Sequence, residues 1–310
     1  MFKIYKKCEK CIDNPKGIIE IYNLSEYNNP FMLCLSSDEK NDNSIFGVIK
    51  EGARAARVCT SDEFASGYKI DDMQVDFLGI KYFNENGHNN NLVDDFIYPY
   101  LKKGDIKVQA RKINFFTYCN ATRVYVELEK RLREKLISDG YDDKSIEEIL
   151  SQISLISIAS EVDITNIYAS TILFKDINDY YIYDYISKTS SKKMASLGRN
   201  TYLGYLRNNG PVIFAFNGTG KHSLKEYFKN GNLVKSSLCA VTSFLLENSI
   251  HSAKIGEHIP ISSRMLLKMA LKYNSEFEDC DALLHKLEEE ITYDGASKYV
   301  KEEYENTLLI

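Results

Sequence analysis

The chain has 310 residues, 44% of them hydrophobic and 27% charged, enough to bury a large core without disulfide or metal support. Thirty-nine Lys and Arg against 44 Asp and Glu leave a formal charge of −5, which argues against a generally basic, nucleic-acid-coating protein. No apolar run reaches the ~20 residues of a membrane-spanning helix, and the composition excludes collagen-like and disordered classes.

The opening, Met1-Phe-Lys-Ile-Tyr-Lys-Lys-Cys8, carries charge where a secretory leader has a continuous apolar stretch, so a cytoplasmic location is expected. Seven cysteines, an odd number scattered along the chain, fit reduced thiols better than a disulfide framework. Cys8-Glu-Lys-Cys11 is the only close pair. Lacking two further ligands at compatible spacing, it gives no reason to expect a metal centre, and no cofactor motif replaces it.

In chain order, Gly17 to Tyr22 alternates like a strand, and Phe31-Met-Leu-Cys-Leu35 reads as a buried strand ending in the turn cluster Ser36-Ser37-Asp38. Ser44 can cap a helix through Ala53, after which Val75 to Ile80 is the next strand. Leu92 to Leu101 is a short helix bent or ended near Pro99. Strand Ile113 to Tyr118 runs into a helix from about Ala121 to Ile137, with Val124, Leu128, Leu132 and Leu136 along one stripe. A helix over Asp142 to Leu150 precedes strands at Ile153 to Ile158 and Ser170 to Phe174. Ser187 to Arg199, polar and without a core-facing period, reads as a mobile loop or lid. Pro211 to Phe216 is the last clear strand, and from Ser223 the chain reads helical, with helices near 234–247, 264–273, 281–291 and 298–305.

This alternation predicts a single α/β domain over residues 1–310, its mainly parallel sheet flanked by helices and its part after 223 a helical elaboration. In such sheets, sites gather where the carboxyl ends of strands meet the following loops. The tips to inspect are therefore Ser36-Ser37, Tyr118 to Ala121, Ala159 to Asp163, Lys175-Asp176 and Asn217 to His222.

At Thr117-Tyr-Cys-Asn-Ala121 an apolar strand enters a helix with a thiol at the junction, where a nucleophile elbow would sit. The chain here resembles the α/β-hydrolase superfamily, through the order of elements from about Phe31 to His222 and through Thr117 to Ala121 standing in place of Gly-x-Ser-x-Gly. Both glycines are absent and Cys replaces Ser. The resemblance implies Cys119 as nucleophile, an acid among Glu161, Asp163 and Asp176, and His222 as base. It also implies oxyanion donors at the amide of Asn120 and one near Ser36. Hydrolysis of an ester, thioester or amide, or acyl transfer from one, would follow, with a small-molecule or acyl-carrier substrate. A thiol beside imidazole suits that chemistry, although buried cysteines more commonly only pack, and a His at a helix start commonly caps.

The alternative is a catalytically degenerate member of the same architecture that binds a protein partner or assists assembly. A third reading, phosphate binding by Ala215 to His222, fits Gly220-Lys221 but lacks the first glycine and the magnesium-binding hydroxyl of a phosphate-binding loop. The mixed charge clusters read as solvated helix faces, so no nucleic-acid partner is expected.

Overall fold

The computed structural model describes residues 3–7, 18–21, 28–36, 75–81, 92–162, 164, 166–179, 194–197, 201–205, 210–227 and 233–272. Six strands form an all-parallel block in the order β4 (Asp76–Lys81), β3 (Phe31–Ser36), β5 (Ile113–Tyr118), β6 (Ser154–Ile158), β7 (Ser170–Asp176) and β10 (Val212–Phe216). Their sequences explain the placement. β6, β7 and β10 are buried along their whole length, as expected of strands covered on both faces, which read as continuous apolar runs.

Antiparallel pairs extend both edges. β1 (Lys3–Lys7) joins β4 and carries β2 (Ile18–Ile21) outside it, while β9 (Thr201–Tyr205) joins β10 and carries β8 (Met194–Leu197). β1 escapes sequence reading because its lysines look like a solvated face, although it pairs on both sides, with β4 and β2. β8 corrects the expectation of a loop over Ser187 to Arg199: Met194–Leu197 pairs with Thr201–Gly204, and the rest of that segment lies outside the described residues.

Strand periodicity sorts the flanking helices. On β5, Phe115 packs edge-on to Tyr125 and Thr117 bonds Thr122, both residues of the Ala121–Ser138 helix. Asn114, one position out of step and so on the opposite face, bonds Ser249 of the Leu233–Ile255 helix. The Ala121–Ser138 helix buries Tyr125, Leu128, Leu132 and Leu136 at three- and four-residue spacing, so the inward stripe passes through Tyr125, with Val124 half-buried beside it. Glu129, buried in the same helix, accepts hydrogen bonds from the Tyr125 hydroxyl and from the amides of Tyr168 and Ala169, pinning the loop that enters β7.

Leu92 to Leu101 is a π-helical turn, Val93–Ile97, continued by an α-helical one, Tyr98–Leu101, with Pro99 in the first turn of the second. Asp105 caps the short Ile106–Arg111 helix by accepting from the amides of Lys107 and Val108. The Leu233–Ile255 helix contacts β5, and the Ser263–Lys272 helix contacts β7 and β10, so the C-terminal helices cover the sheet. The helices expected over 44–53, 281–291 and 298–305 lie outside the described residues.

Candidate active site

β5 delivers Cys119 to the carboxyl end of the sheet. The Cys119 amide donates to the Ile158 carbonyl, continuing the ladder one residue past the strand, and its own carbonyl accepts from Thr122 as the helix begins. The chain must turn within one residue, and Cys119 does so at φ 56°, in the left-handed region that costs a residue with a Cβ roughly 1–2 kcal/mol. Buried hydroxyls brace the turn from beneath: Thr122 Oγ1 lies 2.9 Å from Thr117 Oγ1 and 2.8 Å from Ser157 Oγ. Ala121, fully buried, supplies the small residue two positions after the thiol.

Neighbouring β6 ends in the same way, with Ala159 at φ 52° and its amide on the Phe174 carbonyl. The chain that follows brings Glu161 to Cys119, whose thiol donates to Oε1 at 3.5 Å.

β7 and β10 supply the other half. Asp176, the last residue of β7, is buried and accepts three backbone amides: Asn178 and Gly218 on Oδ1, and Gly220 on Oδ2. This carboxylate folds the turn after β10 against the turn after β7, and Asn178 adds bonds to Asn217 Oδ1 and to the Gly218 carbonyl. The two glycines are required by contact. A Cβ on Gly218 would stand 2.4 Å from Asp176 Oδ2, and one on Gly220 would stand 2.7 Å from the Asn178 carbonyl oxygen, at φ +73°.

So held, His222 points Nε2 at Cys119 Sγ, 3.1 Å away, and Nδ1 at Asp179 Oδ2, 2.6 Å away. Its ring lies against Tyr118 at 5.5 Å between centroids. Asp179 is fully buried, and its amide donates to the Asp176 carbonyl. The hydrogen bond that Nδ1 donates to Asp179 is the main reason that the imidazole is pushed up to about 10 from its ordinary 6.5; the Cys119 contact adds to the effect and burial opposes it. The ring therefore carries a proton at neutral pH.

The residues expected from sequence divide accordingly. Cys119, His222 and Glu161 come together at the strand ends. Asp176 is not the imidazole's partner: its carboxylate faces the glycine turn, and the acid on Nδ1 is Asp179, which sequence reading passed over. The only signal for Asp179 was its place three residues past Asp176 in the same turn. Asp163 lies outside the described residues. Asn120 opens the 18-residue helix at the elbow, where first-turn amides have no partner within the helix. Ser36 pairs with Tyr118 in the parallel register, next to the elbow, and the residues that follow it are outside those described. Among the described residues, Cys119, Glu161 and His222 also form a group whose metal-binding atoms lie within 4.8 Å of one another.

Fold and site together define a mostly parallel α/β protein with a Cys–His–Asp relay at the strand carboxyl ends. No family model matches the chain, and no curated protein matches it in sequence.

Proposed function

We propose that this chain is an α/β-hydrolase-like acyl hydrolase or acyltransferase that acts on an ester, thioester or amide through Cys119, His222 and Asp179. The observation that carries the reading is the continuous relay from Asp179 Oδ2 through His222 to Cys119 Sγ, at 2.6 and 3.1 Å, ending on a thiol at a left-handed strand-to-helix turn. The chain order of the three groups, nucleophile then acid then base, agrees with the superfamily resemblance.

In the reactive form the thiol proton has moved from the Glu161 contact to Nε2, and Asp179 holds the imidazolium by Nδ1. Sulfur attacks the acyl carbon, forming a C–S bond while the carbonyl π pair moves onto oxygen. The developing oxyanion lies toward the Asn120 amide, at the positive end of a long helix. Collapse expels the leaving group, which takes the Nε2 proton and leaves a thioester. Water or another acceptor then gives a proton back to Nε2, attacks the thioester and releases the acyl product with the thiol. A small ester or an acyl carried as a thioester fits this chemistry equally.

Turnover of activated acyl esters and thioesters by the wild type, Cys119→Ala, His222→Ala and the double variant tests the reading. Each single variant is expected to abolish turnover, and the pair to lose little beyond either alone, because members of one catalytic unit are non-additive. Equal residual turnover in all four proteins would remove the catalytic reading in favour of a degenerate binding or assembly protein.

A further inference from the structure

We propose that Cys119, His222 and Glu161 form a three-ligand site for Zn²⁺ that holds the nucleophile silent until the ion is withdrawn. The silencing role rests on the acyl-transfer reading; the metal site does not. The relay has no evident use for Glu161. A nucleophilic sulfur gains nothing from a carboxylate at 3.5 Å, and the charge repels both the thiolate and the oxyanion that follows. A cation among the three groups reverses that relation.

The donor set is one that zinc takes in proteins: thiolate, imidazole and carboxylate. With bonds of about 2.3 Å to sulfur and about 2.0–2.2 Å to nitrogen and oxygen, a tetrahedral ion separates its donor atoms by roughly 3.3–3.6 Å. Sγ to Nε2 is 3.1 Å, Sγ to Oε1 is 3.5 Å, and all three donor atoms fall within 4.8 Å of one another, so only small shifts close the site. Asp179 on Nδ1 is the outer carboxylate that orients a metal-bound histidine and fixes its tautomer. Glu161 and His222 are half-buried, leaving a way in for the ion and a fourth position for water.

Binding breaks the S–H bond and forms the Sγ–Zn bond. The thiol proton, and any proton on Nε2, pass to solvent, and His222 coordinates as neutral imidazole with Nδ1–H on Asp179. Nothing is oxidised or reduced. With its lone pair on zinc and its base occupied, Cys119 is no longer a nucleophile.

The test is titration of the chelator-treated full chain with Co²⁺, whose thiolate charge-transfer and four-coordinate visible bands report the ligand set, followed by displacement with Zn²⁺. The bands are expected in the wild type and absent in Cys119→Ala. Affinity should weaken at least tenfold in Glu161→Gln, and about 10- to 100-fold in Asp179→Asn. Zinc should also protect Cys119 of the wild type from alkylation, a readout that needs no variant. Absent bands, bands that persist in Cys119→Ala, an affinity unchanged in Glu161→Gln, or unprotected Cys119 would overturn the site. Ester turnover of the chelated wild type, measured in parallel, separates the two readings. Metal spectra without turnover would keep the site and overturn both its silencing role and the catalytic reading, whereas turnover without metal spectra would overturn the site alone.

Discussion

Asp176 and Asp179 lie three residues apart in one turn and do different work, because one faces amides and the other an imidazole. Asp179→Asn keeps the shape but removes the charge that holds the Nδ1–H tautomer, and acyl-ester turnover should fall by roughly 10³- to 10⁴-fold with the fold intact. The pH dependence of stability follows from His222. Its folded value of about 10 exceeds its ordinary 6.5, so its contribution is complete below about 6.5 and is lost as pH rises toward 10. Among the described residues, Asp179, Cys119 with Glu161 behind it, and the Tyr118 ring face it. Melting of the chelator-treated wild type and His222→Gln across that range should show a Tm gap that is widest at the acid end and closes near pH 10. A gap that grows with pH would contradict the assignment. Reactivity follows the same local logic. Of Cys34, Cys119 and Cys239, only Cys119 has any exposure, and burial pushes the Cys34 thiol far up. Alkylation at neutral pH in chelator should therefore label Cys119 first among these three. Glu161→Gln should speed that reaction by about tenfold, between the ~1 and ~4 kcal/mol that a charge pair near 4 Å is worth in water and at a protein surface.

At the scale of elements, two turns decide whether the relay forms. The elbow rests on the Thr117, Thr122 and Ser157 hydroxyls, which satisfy one another in a buried place. Thr122→Val retains the volume but leaves two hydroxyls without their shared partner, and denaturant unfolding should show a loss of about 1–3 kcal/mol. The second turn depends on close approach of Gly218 to Asp176. Gly218→Ala should displace His222 and lower turnover far more than it lowers Tm, because the turn sits at the rim of the sheet and not in its core. A Tm loss as severe as the activity loss would show that the turn also anchors the sheet.

Across the whole molecule, the site end and the opposite end of the sheet are stabilised by different means. Away from the turns that carry the relay, Arg111 is fully buried and donates to the Gln152 and Leu245 carbonyls, Ser154 Oγ, Asn114 Oδ1 and Ser249 Oγ. Burial pulls the guanidinium down to about 9, still above neutrality, so it remains charged and its bonds are charge-assisted. The network ties β5, β6 and the Leu233–Ile255 helix into one unit. Arg111→Met removes every one of these donors and should cost more than ~3 kcal/mol in denaturant unfolding, with the geometry of the distant relay unaffected in whatever fraction stays folded.

The sequence by itself determined the elements whose signals are local. Continuous apolar runs marked β3, β5, β6, β7 and β10, helical spacing marked Ala121–Ser138, and strand–helix alternation implied parallel pairing and hence strand ends as the place to seek Cys119 and His222. The lysine-bearing β1, one strand in from the edge, and the four-residue β8, set in a polar segment at the other edge, were not legible, because short outer strands are made by pairing with a neighbour and not by their own periodicity. The acid was undetermined for the same kind of reason. Asp176 and Asp179 carry the same side chain in the same turn, and only the glycine turn arriving from β10, over forty residues later in the chain, engages one carboxylate and leaves the other to the imidazole. Spacing along the chain encodes which groups are available; their roles were decided by tertiary contacts between turns that share no local signal.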